Sequence, residues 1–127
     1  NISDWSTMLD INFYSMLNAT ISVLPHMKKN KFGRIINFGS EAAYKGMGLA
    51  APYCISKAAV QSFTQSLSHE LSDNVTCNAV VPSIINTKAN QNAMPQSDYS
   101  KWIQIEDIAE TILDIINEDY SGRLISF

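Results

Sequence analysis

The 127-residue chain is 46% apolar and 17% charged, with a net charge of -3 and a pI near 5.2, a globular composition with room for one core. That acidic balance excludes a general nucleic-acid footprint, and no apolar run approaches the ~20 residues of a membrane span. Cys54 and Cys77 form no C-x-x-C pair, and neither His26 nor His69 stands at a metal-ligand spacing from another candidate. The chain is therefore read as metal-free, with two buried thiols in a reducing, cytoplasmic compartment.

Asn1 opens directly on what reads as a helix cap, without an initiator Met or a signal peptide, so the true N-terminus is expected upstream. Ser3 or Asp4 offers an N-cap, and Trp5, Leu9, Phe13, Leu17 and Leu24 recur at near-helical spacing up to Pro25. This predicts an amphipathic helix of about five turns. Asn12 falls inside it, where its amide competes for backbone hydrogen bonds and its helix propensity is poor. On the residues alone it is an exposed polar position. The basic segment Lys28 to Arg34, KKNKFGR, reads as a solvated turn. Arg34 to Phe38, bounded by Gly33 and Gly39, has the pattern of a buried parallel strand.

The following loop contains Gly46, Gly48 and Ala51, a G-x-G-x-x-A run that matches a dinucleotide fingerprint in letters only. A true fingerprint joins a strand end directly to a helix N-terminus, with an acidic residue about 20 positions on. Here seven residues separate Phe38 from Gly46, and Ser72 or Asp73 beyond ends a helix instead of a strand. These glycines are read as giving the loop room to pass over a substrate. Pro52 suits the first turn of the next helix, whose apolar stripe is Val60, Phe63, Leu67 and Leu71.

Val75 to Val81 reads as a second buried strand, ended by Pro82. Lys88 to Trp102 is polar and aperiodic, a loop of lid length beyond a strand end that carries Met94, Tyr99 and Trp102 as large apolar groups. Glu106 to Glu118 is the last helix, with Ile108, Ile112, Ile115 and Ile116 as its buried face, and Ser121-Gly122 turns into a final strand, Arg123 to Phe127. The alternation of helix and strand implies a parallel sheet with right-handed crossovers.

Tyr53 and Lys57 are four residues apart, which brings both to one helix face. A phenol titrates near pH 10 and exchanges protons poorly at neutrality unless a cation stabilises the phenolate, a role Lys57 can fill. Ser40 follows the first strand, and its hydroxyl can hold a carbonyl or alcohol oxygen beside the phenol. Tyr-x-x-x-Lys alone is a common coincidence. A serine thirteen residues before the tyrosine, at a strand end, makes coincidence much rarer.

Ser40, Tyr53 and Lys57 at these spacings, with Asn12 on the preceding helix, resemble the active-site tetrad of the short-chain dehydrogenase/reductase family. The likeness continues through INFYSMLNATISVLPHM, GRIINFGS, YCISKAAVQSFTQSLSHEL and CNAVVPSIINT. It implies an α/β, Rossmann-like doubly wound parallel sheet and hydride transfer with NAD or NADP on a small carbonyl or alcohol. In that reading Ser40 positions the substrate oxygen, Tyr53 exchanges the proton, and Lys57 lowers the tyrosine pKa and holds the nicotinamide ribose. Asn12 bends its helix and holds a proton-relaying water. Pro82, Ser83, Ile85 and Thr87 resemble the Pro-Gly-x-Ile-x-Thr segment that binds the nicotinamide carboxamide, with Ser83 in place of the usual glycine. The resemblance further implies a homodimer or homotetramer paired through the Asn12 and Tyr53 helices.

Thr87, Asn90, Met94, Pro95, Asp98, Ser100 and Trp102 also resemble the substrate loop of dihydropteridine reductases, a branch of the same family, so pterin reduction is the second reading. A non-catalytic binding protein on the same scaffold is the third. No glycine begins a βαβ unit near Asn1, so residues 1–127 are expected to be the C-terminal half of one Rossmann-type oxidoreductase domain.

Overall fold

Asn1 is the cap of the first helix: its side chain accepts the Ser3 amide, and Asp4 at the third helical position answers it, completing a capping box. The cap thus lies earlier than Ser3 or Asp4, because the acidic partner needed at the third position is Asp4 itself. In this computed structural model, which describes residues 1–72 and 74–127, the expectation made for Asp73 lies outside the described residues. Helix α1 (Ile2–Leu9) runs through a π-turn at Asp10–Tyr14 into α2 (Ser15–Asn30). Trp5, Leu9, Phe13, Leu17 and Leu24 are all half-buried along the rod.

Helix α2 does not stop at Pro25. Pro25 is exposed, as is Ile21 one turn earlier, so the carbonyl that loses its donor faces water. Lys28 and Lys29 therefore belong to the last helical turn, where their charge suits the helix C-terminus. The turn itself shrinks to Lys31, at φ 52°, with the Phe32 amide reaching back to the Met27 carbonyl at 3.2 Å.

Strand β1 (Gly33–Phe38), helix α3 (Ala42–Lys45), helix α4 (Ala51–Ser68) and strand β2 (Val75–Val81) follow. Then come α5 (Lys88–Ala93), a single 3-10 turn at Tyr99–Lys101, α6 (Ile105–Asn117) and strand β3 (Leu124–Ser126). The sheet is parallel throughout in the order β1-β2-β3. Gly33 stands opposite Val75 and Phe38 opposite Val80, while Ala79 stands opposite Leu124. All seven residues of central β2 are buried, as expected for a strand covered on both faces.

Under one face, Ile35, Leu67 and Cys77 form a core closed by Leu24, Met27, Phe63 and Leu71. Burying side chains of this size contributes about 1.5–3 kcal/mol each. On the other face Ile108 and Ile115 of α6 are buried, but Ile116 is 41% exposed. It lies about 100° round the helix from Ile115, at the rim of the apolar face and not within it. The buried asparagines are paired. Asn37 donates to Thr64 Oγ1 at 2.9 Å, and Asn78 donates to the Tyr120 carbonyl while accepting the Arg123 amide, both at 3.0 Å. Cys54 and Cys77 are free and buried, and burial pushes the Cys77 thiol up to about 11 against the lowering effect of the Thr64 hydroxyl.

The stretch from Lys88 to Trp102 holds more structure than its aperiodic sequence suggests. An isolated parallel bridge joins Ile85 to Ile103 at its base, and the Thr87 hydroxyl caps α5 by accepting the Asn90 amide at 3.2 Å. Its polar character reflects a short, half-exposed helix held by side-chain caps. Among the described residues no helix is long and apolar enough to cross a membrane, and no cluster of metal-ligating side chains forms.

Candidate active site

Two residues past the end of β1, Ser40 is buried. Its hydroxyl accepts the Ala42 amide at 3.2 Å, and its own amide donates to Gln61 Oε1 at 2.9 Å. One hydroxyl proton and one lone pair are left for another partner. Tyr53 projects from the first turn of α4, started by Pro52, and is half-buried. One turn on, Lys57 Nζ donates to the Phe38 carbonyl at 3.0 Å and lies 6.0 Å from the Tyr53 ring centroid. Burial lowers the Lys57 pKa below the ordinary lysine value.

Asn12 sits in the π-turn, where its Nδ2 donates to Ser56 Oγ at 2.9 Å and approaches Met8 Sδ at 3.2 Å. Ser56 Oγ in turn donates to the Tyr53 carbonyl at 2.8 Å. The asparagine side chain is thus tied to the helical turn that carries Tyr53 and Lys57, and its amide is engaged by Ser56. At Asn12 the rod carries an i→i+5 turn, closed by the Ser15 amide on the Asp10 carbonyl.

A cleft of about 610 Å³ is lined by Ser40 and Tyr53, by Ala42 and Lys45 of α3 with Glu41, Gly46 and Met47 beside it, and by Ser83, Ile84, Asn90 and Met94 from beyond β2. The two walls are stitched together where the Glu41 amide donates to the Pro82 carbonyl at 3.1 Å. Gly46, with φ 68°, contributes to the wall, so the glycine-bearing loop does border the cleft. Ser83 is exposed on the opposite wall and is not among the residues with positive φ. Its Cβ therefore strains nothing, and the missing glycine costs the turn no conformational freedom.

Thr87 spends an acceptor site on capping α5 and keeps its hydroxyl proton. The Ile85 carbonyl accepts from Asn90 Nδ2 at 2.8 Å and from the Thr87 amide at 2.9 Å. Of the three large loop residues, Met94 lines the cleft. Tyr99 and Trp102 do not: their ring centroids lie 4.7 Å apart, Trp102 is 8% exposed, and the Tyr99 hydroxyl donates to the Gln91 carbonyl at 3.2 Å.

Sequence reasoning passed over Gln61 and Ser56, the two side chains that hold Ser40 and Asn12. The signal for Gln61 was present: it stands four residues past Lys57 and eight past Tyr53, a polar residue beside the apolar stripe. Glu41, Lys45 and Met47 carry no comparable signal, since a one-turn helix and its flanks reach a cleft by backbone path and are too short to show a period.

Ser40 and Tyr53 line the cleft and Lys57 does not, its half-buried ammonium standing one helical turn behind the phenol; a hydroxyl and a phenol so placed can hold an oxygen and move a proton to or from it. The chain is similar to known proteins over most of its length. The 3-oxoacyl-(acyl-carrier-protein) reductase of Synechocystis is 38% identical over 117 residues, covering 87% of this chain and 47% of that protein. The short-chain dehydrogenase/reductase homolog YusR of Bacillus subtilis is 34% identical over 113 residues, covering 83% of this chain and 88% of YusR. The solved structure of ElxO with NADP bound superposes at a TM-score of 0.91 with 26% identity, covering 99% of this chain and 57% of that one. Apart from YusR, the chain spans about half the length of curated relatives such as these reductases. Residues 1–98 match the sequence pattern of the short chain dehydrogenase family, and the chain belongs to that family.

Proposed function

We propose that residues 1–127 are the C-terminal half of an NAD- or NADP-dependent oxidoreductase that interconverts a carbonyl and an alcohol, with Tyr53 as the acid/base. The observation that carries this reading is the shared cleft of Ser40 and Tyr53, with the Lys57 ammonium one helical turn behind the phenol. Ser40 donates its free hydroxyl proton to the substrate oxygen and orients it. Tyr53 gives its proton to that oxygen during reduction and takes one during oxidation, while Lys57 stabilises the phenolate so formed. Asn12 acts through Ser56 and the π-turn to hold the Tyr53 turn in place. The wall of Ser83, Ile84 and Asn90, with the free Thr87 hydroxyl proton behind it, fits a carboxamide and leaves Lys57 for a ribose hydroxyl. Nicotinamide, when bound there, supplies or accepts the hydride.

The relatives named above support a small-molecule substrate. The reading extends to a homodimer or homotetramer: Ile11, Tyr14 and Ile21 form one exposed stripe on the α1–α2 rod, and Ile55 is exposed on α4. Two buried free thiols are consistent with a cytoplasmic setting.

In the full-length protein, Tyr53→Phe is expected to remove nearly all turnover while leaving cofactor affinity intact; unchanged turnover refutes the assignment. A panel of simple ketones, 3-oxoacyl thioesters and quinonoid dihydropterin sorts the substrate classes, and inactivity on the pterin retires the pteridine reading. A full-length protein that binds no nicotinamide in a fluorescence titration would instead be a binding protein on this scaffold.

A further inference from the structure

Tyr53, Lys57 and Gln61 stand at steps of four on one face of α4. Lys57 takes the Phe38 carbonyl at 3.0 Å, and Gln61 takes the Ser40 amide at 2.9 Å. These two grips bracket Gly39, and a Cβ added there would lie 2.7 Å from Gln61 Oε1 and 2.8 Å from its Cγ. Glycine at that position is what lets the Gln61 side chain lie flat against the backbone. Gln61 is 4% exposed and Ser40 6%, so neither partner has ready access to bulk water. A backbone N–H can only donate, which fixes the carbonyl end of the Gln61 amide towards Ser40.

We propose that Gln61 is a positioning residue: it anchors the Ser40 backbone to the helix that carries Tyr53, and so sets the distance and direction between the serine hydroxyl and the phenol. The proposal rests on the reading of Ser40 as the group that holds the substrate oxygen. The Ser40 side chain has a single rotatable bond before its oxygen, so its reach into the cleft follows its backbone directly. Without the Gln61 anchor, Ser40 keeps only contacts within its own loop, from the Ala42 amide to its hydroxyl and the Ala43 amide to its carbonyl, while Gly39 and Glu41 on either side stay bonded to Val80 and Pro82 and none of these bonds reaches α4.

The test uses the full-length protein. Gln61→Met removes the acceptor at nearly constant volume, and Gln61→Glu restores one. Gln61→Met is expected to lower kcat for the carbonyl substrate on the order of tenfold to a hundredfold, with cofactor affinity unchanged and activity largely recovered in Gln61→Glu. A purely structural role would move the melting temperature and leave kcat at saturating substrate alone. Gly39→Ala, with Gln61 intact but displaced by the new methyl, is expected to reproduce the kcat loss and provides a second route if Gln61→Met fails to fold. Hydrogen exchange at the Ser40 amide reads the anchor without any turnover and is expected to accelerate in Gln61→Met and in Gly39→Ala. Unchanged exchange, or wild-type kcat with accelerated exchange, overturns the proposal. If the parent protein reduces no carbonyl at all, the oxidoreductase reading fails while the exchange measurement still decides whether Gln61 holds Ser40.

Discussion

Lys57 carries a charge that its surroundings penalise. Burial holds its pKa below the ordinary 10.5, so between the lowered value and 10.5 the unfolded chain binds more protons than the native one. Stability therefore rises with pH across that window, and below it the native state bears the whole burial penalty. Lys57→Met removes the charge and with it the penalty. Its stability relative to the parent is expected to be most favourable near pH 7 and to become less so as the pH climbs towards 10.5, while turnover is lost at every pH. Paired thermal melts at several pH values across that range read the difference, in which all other titrating groups cancel. A difference that stays flat across the range would mean that the ammonium is not penalised by its site.

At the scale of elements, the α1–α2 rod and α4 meet, among the described residues, through one polar link, from Asn12 to Ser56 to the Tyr53 carbonyl. The π-turn that presents Asn12 has a cause in the apolar spacing. Trp5, Leu9, Phe13 and Leu17 advance in steps of four, so on a regular helix the stripe would drift by about 40° per step and about 120° in all. One extra residue in a π-turn rotates the chain back by about 100°, which returns the stripe to α4, where Phe13 meets Phe63 edge-on at 6.1 Å. That drift was legible in the sequence, though a reading that counts any near-helical spacing as α-helix overlooks it. Strand β2 was legible to the residue, because a strand buried on both faces is a continuous apolar run closed by proline. Helix α5 was not, because its stability lies in the Thr87 cap and in Asn90, features that a polar loop shares. For the Asn12–Ser56 link, a double-mutant cycle of Asn12→Ala and Ser56→Ala is expected to return a coupling of about 1 kcal/mol by chemical denaturation. Additive single mutants would show that the two helices pack without it.

The whole molecule is asymmetric about β1. Ile35 and Asn37 are buried on the side of α2 and α4, whereas Arg34 and Ile36 are half-buried and Phe38 is 44% exposed. Helix α6 covers β2 and reaches β1 near its start, where Arg34 Nε donates to the Ile116 carbonyl at 3.1 Å. In a doubly wound sheet both faces of an interior parallel strand carry helices, and its open edge pairs with another strand. The Ser40–Tyr53–Lys57 spacing was legible because a helix enforces it and a strand end precedes it, but what covers Phe38 is a long-range matter that no local pattern encodes. We read the exposed side of β1 as the seam against the other half of a longer domain, in keeping with a chain that spans about half of its reductase relatives. Phe38→Ser then has opposite signatures in two contexts. In the longer protein it is expected to cost about 1.5–3 kcal/mol, the burial value of a phenylalanine side chain, read as a lowered unfolding midpoint. In the 127-residue chain alone the same change should cost little and should reduce the binding of an apolar dye, because it removes exposed aromatic surface. Equal costs in both contexts would place Phe38 at a true surface and remove the seam from β1.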